Sequence, residues 1–288
     1  KSYYSDMVRF LETLLVGALC LTGCASSVSA PTDSSSISCP VPKDQGKVVV
    51  LAASSMANIL QEIKPEYLAD HPCVTDLVFS FGSSATLAAQ IANGSPADVF
   101  VSASKSTMDT VTSAGVISTP SRFAKNYAAI MFYQDSKFDE NITSLLSLLD
   151  TSNPGIKVGL CVETAPCGSL ADSVLKNAGE AYGNQSLNRV EIADTESPSV
   201  EDLVSKIEMG ELDAGIVYES DCHFSATSKN SSGCVEIPNM HNGKALNLAN
   251  EYYVGAINAK ANSREFSQFI ASAPFQSILQ SKHGFSAP

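Results

Sequence analysis

From Lys47 onward the sequence predicts an α/β fold built as two lobes. Three observations predict it. Short apolar, β-branched runs recur as buried parallel strands do. Each is followed by a small-residue turn and then by apolar residues at helical spacing. A closing segment carries an apolar helical face that needs a core to pack on. Strands alternating with helices imply right-handed crossovers and a parallel sheet.

Ahead of that pattern lies a targeting segment. Arg9 precedes Leu14–Leu21, an apolar stretch too short to span a bilayer, which reads as the core of a signal peptide over residues 1–23. Leu21-Thr22-Gly23-Cys24 resembles a bacterial lipobox, so Cys24 is expected to become the lipidated first mature residue. Residues 24–46 are then the anchored cysteine and a Ser-rich flexible tether. The expected location is extracytoplasmic, held to the cell membrane by lipid.

The elements follow in order. Val48–Ala53 reads as a buried strand, and Met56, Ile59, Leu60 and Ile63 open a helix, which places Ser55 where an N-cap stands. Leu77–Phe81 is a second strand, Gly82-Ser83-Ser84 a turn, and Thr86, Leu87, Gln90 and Ile91 begin a helix. Asp98–Ser102 is a third strand before a helix with Met108 and Val111. Tyr127–Tyr133 and Lys157–Cys161 read as strands, and a helix from about Ser169 follows the Pro166-Cys167-Gly168 turn. Val200–Glu208 is an amphipathic helix, Ala214–Tyr218 a buried strand and Glu251–Ile257 a strand that carries the chain back. Phe266, Phe269, Ile270, Phe275, Ile278 and Leu279 mark the closing helical segment. Residues 47–125 with 259–288 are assigned to the first lobe and 126–258 to the second.

Composition limits the function. The chain of 288 residues is 44% hydrophobic and carries a net charge of −12, a balance that loss of residues 1–23 leaves unchanged. Such a surface repels nucleic acid and anionic membrane. An anionic ligand must therefore be held by local dipoles. Six cysteines follow Cys24, and an even count in an exported chain favours disulfides. Pairing by proximity gives Cys161 with Cys167, Cys222 with Cys234, and Cys39 with Cys73. No CxxC pair exists and the four histidines are scattered, which argues against zinc.

The chemical content lies at helix starts, where unpaired N–H groups and about half a positive charge can hold an oxyanion without a cation. Four turns qualify: Ser54-Ser55, Gly82-Ser83-Ser84, Pro166-Cys167-Gly168 and Pro198-Ser199-Val200. An enzyme is disfavoured, because no His or Lys lies near Ser55 or Ser84 and there is no G-x-S-x-G elbow. Tyr252 and Tyr253 read as core, and Asp98 and Asp221 as turn caps or hinge residues. Lys229–Gly233 reads as a surface loop.

Leu51–Asn58, Phe81–Ala88, Ser95–Ala103, Ala214–Asp221 and the closing His283-Gly284-Phe285 resemble, in that order, the periplasmic molybdate-binding proteins. The resemblance runs from Val48 to Phe285. It implies a type II, two-lobe solute-binding fold, with mixed sheets flanked by helices and a ligand cleft between the lobes. It also implies that molybdate or tungstate is captured as a ligand, without a cofactor, for an ABC importer's permease and ATPase; sulfate is the alternative oxyanion. The matching donors are Ser55, Ser84, Cys167, Val200 and Tyr218. A monomer is expected.

Overall fold

The computed structural model describes Cys39 and residues 46–228 and 232–288. The expected signal segment, Cys24 and all of the tether but Cys39 and Gly46 lie outside the described residues, as do Lys229, Asn230 and Ser231.

Strand β1 (Lys47–Ala53) is apolar from Val48 onward because both its faces are covered there. Val48, Val50 and Ala52 join Met56, Leu60 and Phe266 in one core, while Leu51 joins Leu87, Ile91 and Phe100 in another. Burying a side chain such as Phe266, which is fully enclosed, contributes about 1.5–3 kcal/mol. The first lobe continues through α1 (Ala57–Asp70), β2 (Asp76–Gly82), α2 (Ser84–Ala92), β3 (Val99–Ser102), α3 (Lys105–Ser113) and β4 (Ser121–Asn126).

The chain then crosses to a second lobe with its own core, centred on Ile130, Leu160, Val174, Leu203 and Ile216. Its elements are β5 (Ala128–Tyr133), β6 (Val158–Cys161), α4 (Pro166–Tyr182), α5 (Arg189–Ile192), β7 (Thr195–Ser197), α6 (Val200–Glu208), β8 (Ala214–Tyr218), α7 (Glu219–Ser228) and β9 (Ser232–Glu236). A small hairpin of β10 (Met240–His241) and β11 (Lys244–Ala245) follows. The chain ends with β12 (Asn250–Ala256), α8 (Ala261–Ile270) and α9 (Ala273–Lys282).

The two five-stranded sheets share one plan. The first runs β2-β1-β3-β12-β4 and the second β7-β6-β8-β5-β9. In each, three parallel strands are followed by one antiparallel strand that comes from beyond the lobe's own βαβ run. In such sheets ligands bind outside the carboxyl ends of the parallel strands. Both lobes therefore offer strand-to-helix turns of the same kind.

The expected elements need three corrections. The strand assigned to the second lobe at residues 251–257 is β12, which lies between β3 and β4, so the chain has rejoined the first sheet by Asn250 and not after Asn258. Pro166-Cys167-Gly168 is not a turn before a helix but the first turn of α4 itself, since proline is suited to an opening position whose N–H has no helical partner. Ser232 and Gly233, read as loop, belong to β9, whose pairing with β5 covers them.

The crossings between lobes are tied by asparagines. Asn247 accepts from the Ala128 N–H at 3.0 Å and donates to the Ala128 carbonyl at 2.8 Å. Asn126 donates to Ser220 Oγ at 2.7 Å. The three disulfides are those expected by proximity: Cys39–Cys73, Cys161–Cys167 and Cys222–Cys234. Among the described residues no helix is long and apolar enough to cross a membrane.

Candidate functional site

The strand-to-helix turns of both lobes face one small cavity. It is lined by Ala53, Ser54 and Ser55 after β1, by Gly82, Ser83 and Ser84 after β2, and by Ala103 after β3. From the second lobe come Ala165, Pro166 and Cys167 after β6, Ser199 and Val200 after β7, and Tyr218 at the end of β8. Each lobe thus gives the ends of its three parallel strands. Ser55, Ser84, Cys167, Val200 and Tyr218, singled out in the sequence, all line this space. Ala103 was missed, because an alanine brings only its backbone and no side-chain chemistry marks it.

The space is small. About 10 Å³ is open to the centre of a water-sized sphere, near the allowance of a single water site. A larger hollow of about 560 Å³, lined by Val116, Ser118, Asn258, Arg264 and Gln268 among others, lies at the opposite ends of the first sheet's strands, away from the converging turns. None of the residues lining the small cavity carries a charge. An anion held there is held by dipoles.

Those dipoles are open. The turn Ser54–Met56 is a 3-10 turn with Ala53 at the cap position, and no side chain caps it. Ser55 is therefore not the expected N-cap. The starts of α2, at Ser83, and of α4, at Ala165, also lack side-chain caps. Away from the cavity Asn188 and Ser272 cap α5 and α9, while the start of α8 is uncapped. At the cavity α6 is capped by Ser199, and α3, which follows Ala103, by Ser104. Uncapped first turns leave N–H groups for an outside acceptor.

Three hydroxyls complete the donor set. Ser84 Oγ accepts the Ala103 N–H at 3.0 Å, and Tyr218 Oη accepts Asn250 Nδ2 at 3.0 Å. Ser55 Oγ lies 2.8 Å from Tyr252 Oη. With a donor behind it, each hydroxyl can turn its own proton toward the cavity. Tyr252, read from the sequence as core, is fully buried, but its hydroxyl also serves Ser55. Its ring meets Tyr218 edge-on at 6.1 Å across the lobes. Burial, with Tyr218's further repulsion from the Tyr252 oxygen, raises the pKa of both phenols, so both remain protonated donors.

Asp221 is half-buried one turn beyond Tyr218 and accepts the Tyr218 N–H at 3.0 Å. Burial pushes its carboxyl up to about 7, against the pull of that hydrogen bond. Asp98, the other acid noted in the sequence, accepts the Val49 N–H at 2.8 Å and pairs with Lys260. Both hold backbone in place, as expected. Among the described residues no group of three or more His, Cys, Asp or Glu is placed to hold a metal ion.

Gly168, in the first turn of α4, packs so tightly that a Cβ there would stand 2.0 Å from the Val162 carbonyl oxygen. The Cys161–Cys167 bond closes the same loop. The Cys167 N–H is thus presented by a short, doubly constrained segment.

The chain is similar to known proteins. Residues 48–286 match the family described as bacterial extracellular solute-binding protein. The chain is 32% identical over 284 residues to the molybdate-binding protein ModA of Mycobacterium tuberculosis H37Rv, covering 96% of this chain and 98% of that one. Among solved structures, the Azotobacter vinelandii periplasmic molybdate-binding protein superposes with a TM-score of 0.66 at 19% identity, covering 84% of this chain and 99% of the other. The sulfate-binding protein SubI of Mycobacterium tuberculosis does so with a TM-score of 0.69 at 15% identity, covering 84% and 86%. At those identities the two structures establish the shared fold.

Proposed function

The chain belongs to the bacterial extracellular solute-binding proteins, and on that premise we propose that it captures molybdate, with tungstate as an equivalent ligand, for an ABC importer. Its relatives are binding proteins of transporters and not enzymes. The observation that carries the reading is a small, uncharged cavity where three uncapped helix starts and three backed hydroxyls converge from two lobes.

A doubly charged tetrahedral anion fits such a set. The Ser55, Ser84 and Tyr218 hydroxyls and the open N–H groups can donate, and hydrogen bonds to a charged acceptor contribute about 1.5–3 kcal/mol each. Several of them offset the cost of stripping water from the anion. Phosphate near neutral pH carries a proton and needs an acceptor, and no carboxylate lines the cavity. Sulfate has the right charge but shorter bonds, so donors placed for molybdate stand too far from some of its oxygens.

Closure couples capture to delivery. The anion bridges Ser55 and Ser84 of one lobe with Cys167, Val200 and Tyr218 of the other, so it stabilises the closed form by its differential affinity. The permease and its ATPase then meet the closed protein, which Cys24 keeps at the membrane as a lipid-anchored monomer.

The test is calorimetric titration of residues 25–288 with molybdate, tungstate, sulfate and phosphate. Tight binding of the first two, at least about 100-fold tighter than the others, is the expected result. A sulfate preference leaves the fold and removes the ligand assignment.

A further inference from the structure

Arg189 does not line the cavity, yet it holds α4, whose first turn does, and touches the strands β6 and β7 that lead to it. It opens α5, and its side chain is only 18% exposed. Nε donates to Asp172 Oδ1 at 2.9 Å and Nη2 to Asp172 Oδ2 at 3.0 Å, a bidentate fork onto α4. Nη1 donates to the Cys161 carbonyl at 2.7 Å and to Glu196 Oε1 at 2.7 Å. Nη2 also donates to the Gly168 carbonyl at 3.2 Å. A guanidinium has five N–H donors, and here all of them are used.

The placement of these partners matters. Cys161 and Gly168 stand at the two ends of the disulfide-closed loop that presents the Cys167 N–H. Glu196 lies on β7, whose end leads through Pro198 to Ser199 and Val200. Strands β6 and β7 are in register as far as Cys161 and Ser197, and one further hydrogen bond joins Val162 N–H to the Ser197 carbonyl at 2.8 Å. Beyond that point the sheet no longer sets the distance between the two turns. Arg189 ties the first turns of α4, through Gly168 and Asp172, to residues near the ends of both strands, Cys161 and Glu196.

We propose that Arg189 is a positioning residue that fixes the start of α4, and with it the Cys167 donor, against the ends of β6 and β7 and thereby sets which size of tetrahedral oxyanion the cleft accepts. The inference rests on the oxyanion-binding reading and goes one step further, to the source of its selectivity. Its action is geometric. One guanidinium facing two carboxylates leaves a local surplus of negative charge, which cannot attract a dianion by itself. A lysine keeps the charge but presents a single point in place of a planar fork, so it cannot hold Asp172, Glu196 and two carbonyls at once.

The experiment compares the parent with Arg189→Lys and Asp172→Asn, measuring Kd for molybdate and for sulfate by calorimetry, with Tm in parallel. Both variants are expected to bind molybdate about 10-fold more weakly and to narrow the molybdate-to-sulfate ratio by about the same factor. A role confined to stability lowers Tm and leaves both Kd values of the folded protein unchanged. That outcome overturns the proposal, as does parental affinity in Arg189→Lys. If Arg189→Lys does not fold, Asp172→Asn, which keeps the arginine and its carbonyl contacts, decides the matter by the same ratio. A parent that binds neither anion overturns the oxyanion reading together with this one, whereas a selective parent with unchanged ratios in folded variants overturns this one alone.

Discussion

Tyr218→Phe removes one hydroxyl and little else. The ring stays in the second-lobe core, where the residue is 1% exposed. Asn250 Nδ2 loses its 3.0 Å bond to Oη, which leaves one N–H without that partner, and keeps the Pro166 carbonyl at 2.9 Å with the other. The cost to the fold is about 1 kcal/mol, or about 2–4 °C in Tm for a chain of this size. The cost to binding is larger, because a donor to a dianion is lost: about 1.5–3 kcal/mol, which is about 10- to 150-fold in Kd. Calorimetry with molybdate gives the Kd, and a thermal melt of the free protein gives the stability. A folded variant that binds as tightly as the parent refutes the argument that the Tyr218 hydroxyl turns toward the ligand.

Three further outcomes are expected. Ser55→Ala combined with Ser84→Ala removes two donors of the first lobe and should weaken molybdate binding by at least about 100-fold in titration; unchanged affinity places the cleft elsewhere. Tyr252→Phe removes the group behind Ser55 and should weaken binding by about 3- to 10-fold, less than Tyr218→Phe; an equal or larger loss means that Tyr252 itself meets the ligand. Asp221 has a folded pKa of about 7 against 3.8 unfolded, so its neutral form stabilises the fold at low pH and that contribution is lost as pH rises through 7. Relative to the parent, Asp221→Asn should therefore gain about 2–3 kcal/mol between pH 5 and pH 8 in denaturant unfolding; parallel pH profiles contradict it.

Much of this was legible in the sequence, for a local reason. Buried parallel strands are continuous apolar runs, and the residues just after them must be small where helices start close to a ligand. Ser55, Ser84, Cys167, Val200 and Tyr218 all sit at such points. The close cysteine pairs could be matched by loop length alone. What stayed hidden depends on contacts far apart in sequence. The place of β12 in the first sheet is set by pairing with β3 and β4, about 150 and 130 residues earlier, and no local pattern encodes it. Tyr252 looks like any aromatic residue on a strand until Ser55, 197 residues away, is placed against its hydroxyl. Arg189 sits in a polar stretch where a charged residue usually faces solvent, and its five hydrogen bonds go to four residues on three separate segments. Ala103 had no side-chain signal at all.

The central claim is that one oxyanion sits between the two lobes on neutral donors. A crystal structure of the protein with molybdate, phased on the anomalous signal of molybdenum, tests it most directly. The account predicts one strong anomalous peak in the cavity, with ligand oxygens at about 2.7–3.2 Å from the Ser55, Ser84 and Tyr218 hydroxyls and from the Cys167 and Val200 N–H groups. A peak outside that cavity, or an anion paired with a lysine or arginine side chain, contradicts it.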